Sequence, residues 1–284
     1  MEKVLWNGKI VNKEDVRISI DDRAFHFGDG VYEVVRVYDG ELYLADGHMK
    51  RLYDSARKIG IQLDITPDDF LASLVELREA TGLIDGTIYV QVSRGEWPRN
   101  HAFPDQSVAP QIVGFTKQAK RPLEQMKSGV KATIIEDTRW LHCDIKSISL
   151  LGNVLAKQKA VEAGCFESIQ HRDGVVTEGS STNVFIVKDA TVYTHPANHL
   201  ILNGITRQRI IELGRKEGIN IREEAFTADQ LLQADEVFVA GTTVEIMPVI
   251  QVDDKKYSDQ PGPVTLKLQS LLNEDISQLA SVKH

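Results

Sequence analysis

The chain has 284 residues, 42% of them hydrophobic and 26% charged, and a formal net charge of −8. Such proportions suit a soluble globular protein of one large or two modest domains, and the acidic balance argues against nucleic acid, whose phosphates need a basic face. No apolar run nears the roughly 20 residues of a membrane span, the first residues lack the apolar stretch of a secretion signal, and Cys143 and Cys165 make neither a disulfide framework nor a metal site. A cytoplasmic protein acting on small molecules is expected.

The first 45 residues read as strands and tight turns. Asn7-Gly8 lies between Val4-Leu5-Trp6 and Lys9-Ile10-Val11, a strong hairpin signal, and a second hairpin is expected from Val31 to Leu44 around Asp39-Gly40. The period then changes. His48 to Ile59 predicts a helix with Leu52 and Ala56 on one face. Thr66-Pro67-Asp68-Asp69 supplies a cap, a first-turn proline and acids for a second helix, which turns Phe70, Leu71, Leu74, Val75 and Leu77 inward and stops at Gly82. Strands follow at Thr87–Val92 and Gln111–Phe115.

Lys120-Arg121-Pro122 breaks the pattern, so residues 1–118 are expected to form a smaller domain, 119–123 a linker and 124–284 a larger one. The second part predicts strands at Val130–Ile135, Ser168–His171, Val184–Val187, Val192–His195 and Glu236–Ala240. Its expected helices run from about Leu150 to Ala163, from Thr206 to Glu217, from Thr227, and from about Val264 to Leu272. Strands and helices mix without regular βαβ alternation. The expected fold class is therefore α/β in the broad sense, with two α+β-like units of mixed sheets.

Familiar motifs are mostly absent. Gly174-Val175-Val176-Thr177-Glu178-Gly179-Ser180 has the glycine spacing of a phosphate loop but no lysine, and it places an acid where phosphate would sit. There is no G-x-G-x-x-G, no H-E-x-x-H and no G-x-S-x-G, so no metal is expected. Three stretches stand out: Asp144-Ile145-Lys146-Ser147, Glu178-Gly179-Ser180-Ser181-Thr182-Asn183 and Asn203-Gly204-Ile205-Thr206-Arg207. Taken singly, each has a plainer reading: a surface lysine, a loop, a helix cap. Taken together they offer an amine for an aldehyde, an acid for a heteroaromatic nitrogen and a helix start for a phosphate. Those are the three handles of pyridoxal phosphate.

Further motifs point the same way. In order they are Phe27-Gly28-Asp29-Gly30-Val31-Tyr32-Glu33, His48 with Arg51-Leu52-Tyr53, Arg94-Gly95 with Pro98-Arg99-Asn100-His101, and Arg139-Trp140 through Ser147. Thr177 to Ser181 and Gly204 to Arg207 complete the set. With these, nearly the whole chain resembles the fold-type IV pyridoxal-phosphate enzymes, the branched-chain and D-amino acid transaminase group, and most of all its D-amino acid branch.

The resemblance implies two domains with pyridoxal 5′-phosphate between them. It implies that Lys146 holds the cofactor as an internal aldimine and later moves a proton, and that Glu178 pairs with the pyridine nitrogen. Arg51, the Ile205 and Thr206 amides and the Thr242 hydroxyl would hold the phosphate. Tyr32, Arg99 and His101 would bind the substrate carboxylate, the last two reaching the neighbouring subunit's site in a homodimer. The implied reaction exchanges the amino group of D-alanine for the oxo group of 2-oxoglutarate in two half-reactions, with no nucleic acid or membrane involved. The alternatives are a branched-chain L-amino acid transaminase or an aminodeoxychorismate-type lyase of the same fold, and a catalytically silent cofactor-binding protein. Two positions depart from the family pattern: Gly241 stands where a serine is usual, and His142 where an arginine is.

Overall fold

The computed structural model describes residues 2–281. The chain divides into two compact units, one of Met1–Lys120 with Ile145–Leu150 and one of Arg121–Asp144 with Leu151–His284. The short stretch carrying Lys146 therefore belongs to the first unit, although it lies well beyond residue 120 in sequence.

In the first unit, β1 (Lys3–Trp6) and β2 (Lys9–Asn12) form the expected hairpin. Asn7 and Gly8 both take positive φ, 46° and 79°, the conformation a two-residue turn needs to match strand twist. A single-turn helix, α1 (Arg23–Phe27), is too short to display a period, so the sequence does not predict it; Asp22 caps it. Then come β3 (Gly30–Tyr38), β4 (Glu41–Leu42), α2 (Ala45–Lys58), α3 (Pro67–Thr81), β5 (Gly86–Ser93) and β6 (Gln111–Gln118). Thr66 caps α3 through the Asp69 amide, and Gly82 ends it at φ 62°. The six strands form an antiparallel sheet in the order β2-β1-β6-β5-β3-β4. Phe70, Leu74 and Leu77 of α3, with Met49, Leu52 and Ala56 of α2, fill the core against Val31, Val35, Ile88 and Val90.

The second unit opens with a short helix, α4 (Leu123–Ser128), and β7 (Val130–Glu136), then α5 (Leu151–Glu162), β8 (Glu167–Arg172), β9 (Val175–Gly179), β10 (Asn183–Lys188) and β11 (Thr191–Thr194). It continues through α6 (Ile205–Lys216), β12 (Ile221–Arg222), α7 (Ala228–Leu232), β13 (Glu236–Gly241), β14 (Glu245–Val252), β15 (Lys255–Lys256) and α8 (Pro263–Ser281). A mixed nine-stranded sheet runs β12-β11-β10-β13-β14-β7-β8-β9, with β15 paired to β14. Besides the two-residue β12 and β15, which the sequence reading lacks, two strands depart from it. β9 takes in Glu178 and Gly179, which read as a turn, so the turn proper is only 180–182. β14 is a buried eight-residue strand hidden by Pro248, a residue that normally argues against a central strand. Its ladder to β7 begins only at Val249 and shifts register by Gln251, so the proline sits beside an irregularity.

Gly30 opens β3, the strand that carries Tyr32 and Glu33. A Cβ there would collide with the Val92 carbonyl oxygen of β5. Gly30→Ala is expected to pry that end of β3 from β5 and destabilise folding by about 1–3 kcal/mol, the usual cost of overpacking. Urea unfolding measures it; an unchanged midpoint would contradict the close approach.

Candidate active site

The sequence-predicted residues fall into two groups, one in each unit. In the first unit, Lys146 is held by its backbone. Its carbonyl accepts from the Tyr32 amide at 3.0 Å, its own amide donates to the Ser55 hydroxyl at 3.2 Å, and Ser147 bridges Val31 of β3. The Lys146 Nζ lies 4.3 Å from the centre of the Tyr32 ring, and among the described residues no carboxylate pairs with it. Tyr32 stacks in turn on Tyr89 of β5 at 5.6 Å.

One residue beyond Tyr32, the fully buried Glu33 binds Arg51 of α2 through both oxygens, at 2.6 Å to Nε and 3.0 Å to Nη2. Its Oε2 also meets His48 Nδ1 at 2.7 Å. Burial pushes Glu33 up, but the Arg51 and His48 contacts prevail and hold it well below the usual carboxylate range. Burial lowers His48, with the Arg51 and Lys146 charges acting in the same direction against the pull of Glu33. The guanidinium of Arg51 is thereby fixed in plane, which a lysine's single ammonium would not achieve.

Arg99 and His101 are exposed on the loop between β5 and β6. Both lie against Phe27, the Arg99 guanidinium carbon 5.1 Å and the His101 ring 5.3 Å from its centre.

In the second unit Glu178, 5% exposed, receives three donors. Arg139 Nη1 donates to Oε1 at 2.5 Å; Asn183 Nδ2 and the Leu202 amide donate to Oε2 at 3.1 and 3.0 Å. Arg139 is itself gripped by Asp137, at 2.9 Å from Nε and 2.8 Å from Nη2. Burial pushes the Glu178 carboxyl up to about 6, with Arg139 and the Leu202 amide restraining it. Asn183 links this carboxylate to the start of α6: its Nδ2 also donates to the Leu202 carbonyl, and a Cβ on Gly204 would strike its Oδ1. No side chain caps α6, and the Ile205 and Thr206 amides, having no helical carbonyl four residues back, stand at its positive end. Asn183 pairs with Ala240 in the sheet, so Gly241 and Thr242 follow directly beside it. A Cβ at Gly241 would make ordinary contact with the Ser181 carbonyl at 3.5 Å, so the missing serine reflects no lack of room. His142 is exposed, edge-on to Trp140.

The sequence pattern of the family described as Amino-transferase class IV matches residues 30–252, a span that contains every one of these residues except Phe27. The chain belongs to that family. Among relatives of this class IV aminotransferase, the D-alanine aminotransferase of Staphylococcus epidermidis is 46% identical over 270 residues, covering 95% of this chain and 96% of the relative. Solved structures agree in fold. The branched-chain amino acid aminotransferase of Escherichia coli superposes with a TM-score of 0.91 at 27% identity, covering 96% of this chain and 94% of that one. The branched-chain aminotransferase of the thermophilic archaeon Thermoproteus uzoniensis, solved with norvaline, gives 0.89 at 26%, covering 97% and 94%.

For this aminotransferase, sequence reasoning missed the supporting groups. Glu33, His48, Arg139 and Asp137 have no task that the sequence assigns, because partners such as Glu33 and His48 or Arg139 and Glu178 lie 15 and 39 positions apart and leave no local spacing to read. Glu167 escapes notice likewise; it clasps the turn after Glu178, taking the Ser180 hydroxyl at 2.5 Å and the Thr182 hydroxyl at 2.9 Å.

The raised carboxyl of Glu178 has a stability consequence. Because its folded value, about 6, exceeds the ordinary 4.5, its contribution to stability is present below pH 4.5 and is lost as pH rises through 6. In cofactor-free protein, the unfolding free energy of the wild type relative to Glu178→Gln is expected to fall by about 2 kcal/mol across that window. Urea titrations at several pH values check this, and a flat difference would refute it.

Proposed function

We propose that this class IV aminotransferase is a pyridoxal-phosphate-dependent transaminase of D-amino acids, exchanging the amino group of D-alanine for the oxo group of 2-oxoglutarate, and that it works as a homodimer in the cytoplasm. The observation that carries the cofactor reading is Glu178, a buried carboxylate braced by an arginine and two amide donors and joined through Asn183 to the uncapped start of α6. The D-preference rests on the near-full-length likeness to relatives named for D-alanine and on the Arg99-x-His101 pair.

The residues fit such a cofactor. Gly204 puts no side chain over the uncapped start of α6, and none could be added without striking Asn183, so the cradle of amides there is kept open. Those amides suit a phosphate. When bound, the cofactor supplies an electron-accepting ring to the substrate's α carbon. Glu178 holds a proton on the ring nitrogen, and Arg139 keeps that carboxylate oriented. Lys146 would hold the cofactor at its aldehyde carbon through Nζ, and the same nitrogen would carry the substrate's α proton. Arg51, set in plane by Glu33, would hold the phosphate, as would the Ile205 and Thr206 amides and the Thr242 hydroxyl. Arg99 grips the substrate carboxylate with paired hydrogen bonds, and Tyr32 and His101 add donors. With the carboxylate anchored, one enantiomer presents its α hydrogen to Lys146 and the other turns it away.

The homodimer accounts for an otherwise unsupported surface. Leu151, Val154, Leu155 and Val161 are all more than half exposed on α5, an apolar stripe suited to a second copy. No helix among the described residues is long and apolar enough to cross a membrane. Two cysteines, Cys143 and Cys165, both free, suit a reducing compartment.

Titration with the two alanine enantiomers tests the reading. The purified holoenzyme should lose its bound-cofactor absorbance with D-alanine and keep it with L-alanine; a preference for L-alanine would sink the assignment. Borohydride reduction and peptide mapping should place the cofactor on Lys146, and Lys146→Ala should abolish both label and turnover.

Arg99→Ala removes a charged hydrogen bond worth about 1.5–3 kcal/mol, so the KM for D-alanine should rise about tenfold or more. Mixed dimers of Arg99→Ala and Lys146→Ala chains should recover some activity, since one hybrid site keeps both residues. No recovery in verified heterodimers would place Arg99 in its own chain's site.

A further inference from the structure

The loop that presents Arg99 and His101 is exposed at its tip, yet it is gripped at its base by a buried charge cluster. Asp29 binds two arginines: Arg23 Nε at 2.7 Å on Oδ2, and Arg94 with Nε at 2.8 Å on Oδ2 and Nη2 at 2.9 Å on Oδ1. All three side chains are largely buried, at 3% exposure for Arg23, 8% for Arg94 and 12% for Asp29. Two guanidinium groups share one carboxylate. The excess positive charge must be met by backbone carbonyls, because an unpaired buried charge costs several kcal/mol.

The carbonyls that meet it are informative. Arg23 Nη1 donates to the Asn100 carbonyl at 2.6 Å and to the Ala102 carbonyl at 3.3 Å, the two residues flanking His101. Arg94 donates to the Gly60 and Ile59 carbonyls at 3.2 and 2.7 Å, tying the cluster to the end of α2. It also lies 3.7 Å beneath the Phe103 ring. Burial raises the Asp29 carboxyl, but the bonds from Arg94 and Arg23 prevail and keep it below the ordinary range, so its charge persists at neutral pH.

We propose that Asp29, Arg23 and Arg94 form a positioning clamp that fixes where Arg99 and His101 stand, and so sets substrate affinity and handedness without touching substrate. This rests on the reading of Arg99 and His101 as carboxylate-binding residues. The clamp acts through the backbone on both sides of His101 and one residue past Arg99. Nothing else in the cluster needs two arginines. A single one would neutralise Asp29, and the second arm reaches across to the loop.

The test uses Arg23→Lys in the holoenzyme, which keeps a cation beside Asp29 but loses the second arm of the fork. Hydrogen exchange of the Ala102 amide, which donates to Asn100 Oδ1 at 3.1 Å, should speed up by about tenfold while the amides of β3 and β5 keep their protection. The KM for D-alanine should rise by about tenfold, the loss of one charged hydrogen bond, with a much smaller fall in kcat. If Arg23→Lys does not fold, Phe103→Ser takes its place: that ring is exposed, so the core survives, and loss of its stacking on Arg94 should speed exchange of the same Ala102 amide.

Unchanged loop exchange in the folded variant overturns the clamp. So does a loosened loop with an unchanged KM, in protein whose Arg99→Ala variant does raise KM. If Arg99→Ala itself leaves KM unaltered, the carboxylate reading is what has failed, and the clamp's link to substrate falls with it.

Discussion

A carboxylate as deeply buried as Glu178 must be matched by donors or shed its charge, and the arrangement of the second unit follows from that constraint. Arg139 supplies the opposing charge, and Asp137 holds Arg139. Arg172 and the Thr177 hydroxyl complete Asp137 at 3.1 and 2.9 Å. The result is a line of alternating charge, Arg172–Asp137–Arg139–Glu178, in which each group is oriented by the next. The other oxygen of Glu178 is joined through Asn183 to the start of α6. Glu178 and the uncapped start of α6 thus become one connected piece of backbone and side chain.

The first unit applies the same physics to a different end. Glu33 lies on β3 one residue after Tyr32, and its pairing with Arg51 ties that strand to α2. Lys146 is not locked by any ion pair among the described residues. It is placed by main-chain bonds to β3 and left beside an aromatic face. In the proposed function that looseness suits an amine that forms and breaks a covalent bond, since a tight salt bridge would hold it elsewhere. The remaining buried cluster, around Asp29, directs its surplus positive charge to loop carbonyls. Rigid scaffold and exposed loop are thereby coupled by charge as well as by chain connection.

Turn and cap chemistry was legible because it is local. Asn7-Gly8, Asp39-Gly40 and Gly82 take the left-handed backbone that few other residues adopt, and Thr66-Pro67 supplies the cap and first-turn proline of α3. The capping box of α7, Thr227 with Gln230, belongs to the same class. β14 was illegible for the converse reason. Pro248 reads locally as a strand breaker, and only the neighbouring strands β13 and β7 show that the ladder accommodates it. α1 and α4 were too short for any period to register.

The amino-acid sequence by itself determined the mixed α/β class, most of the longer elements and, through six ordered motifs, the family. It did so because turns, caps and motifs are written in adjacent residues. Only the tertiary structure decided that 145–150 joins the first unit, that Arg51 is set by Glu33, that Arg139 braces Glu178, and that Asp29 anchors the arginine gripping the loop of Arg99 and His101. All but the first of these are charges paired between residues that are not neighbours in the chain. Such a pair is fixed by the cost of burying one charge alone, which exists only once the fold has closed around it.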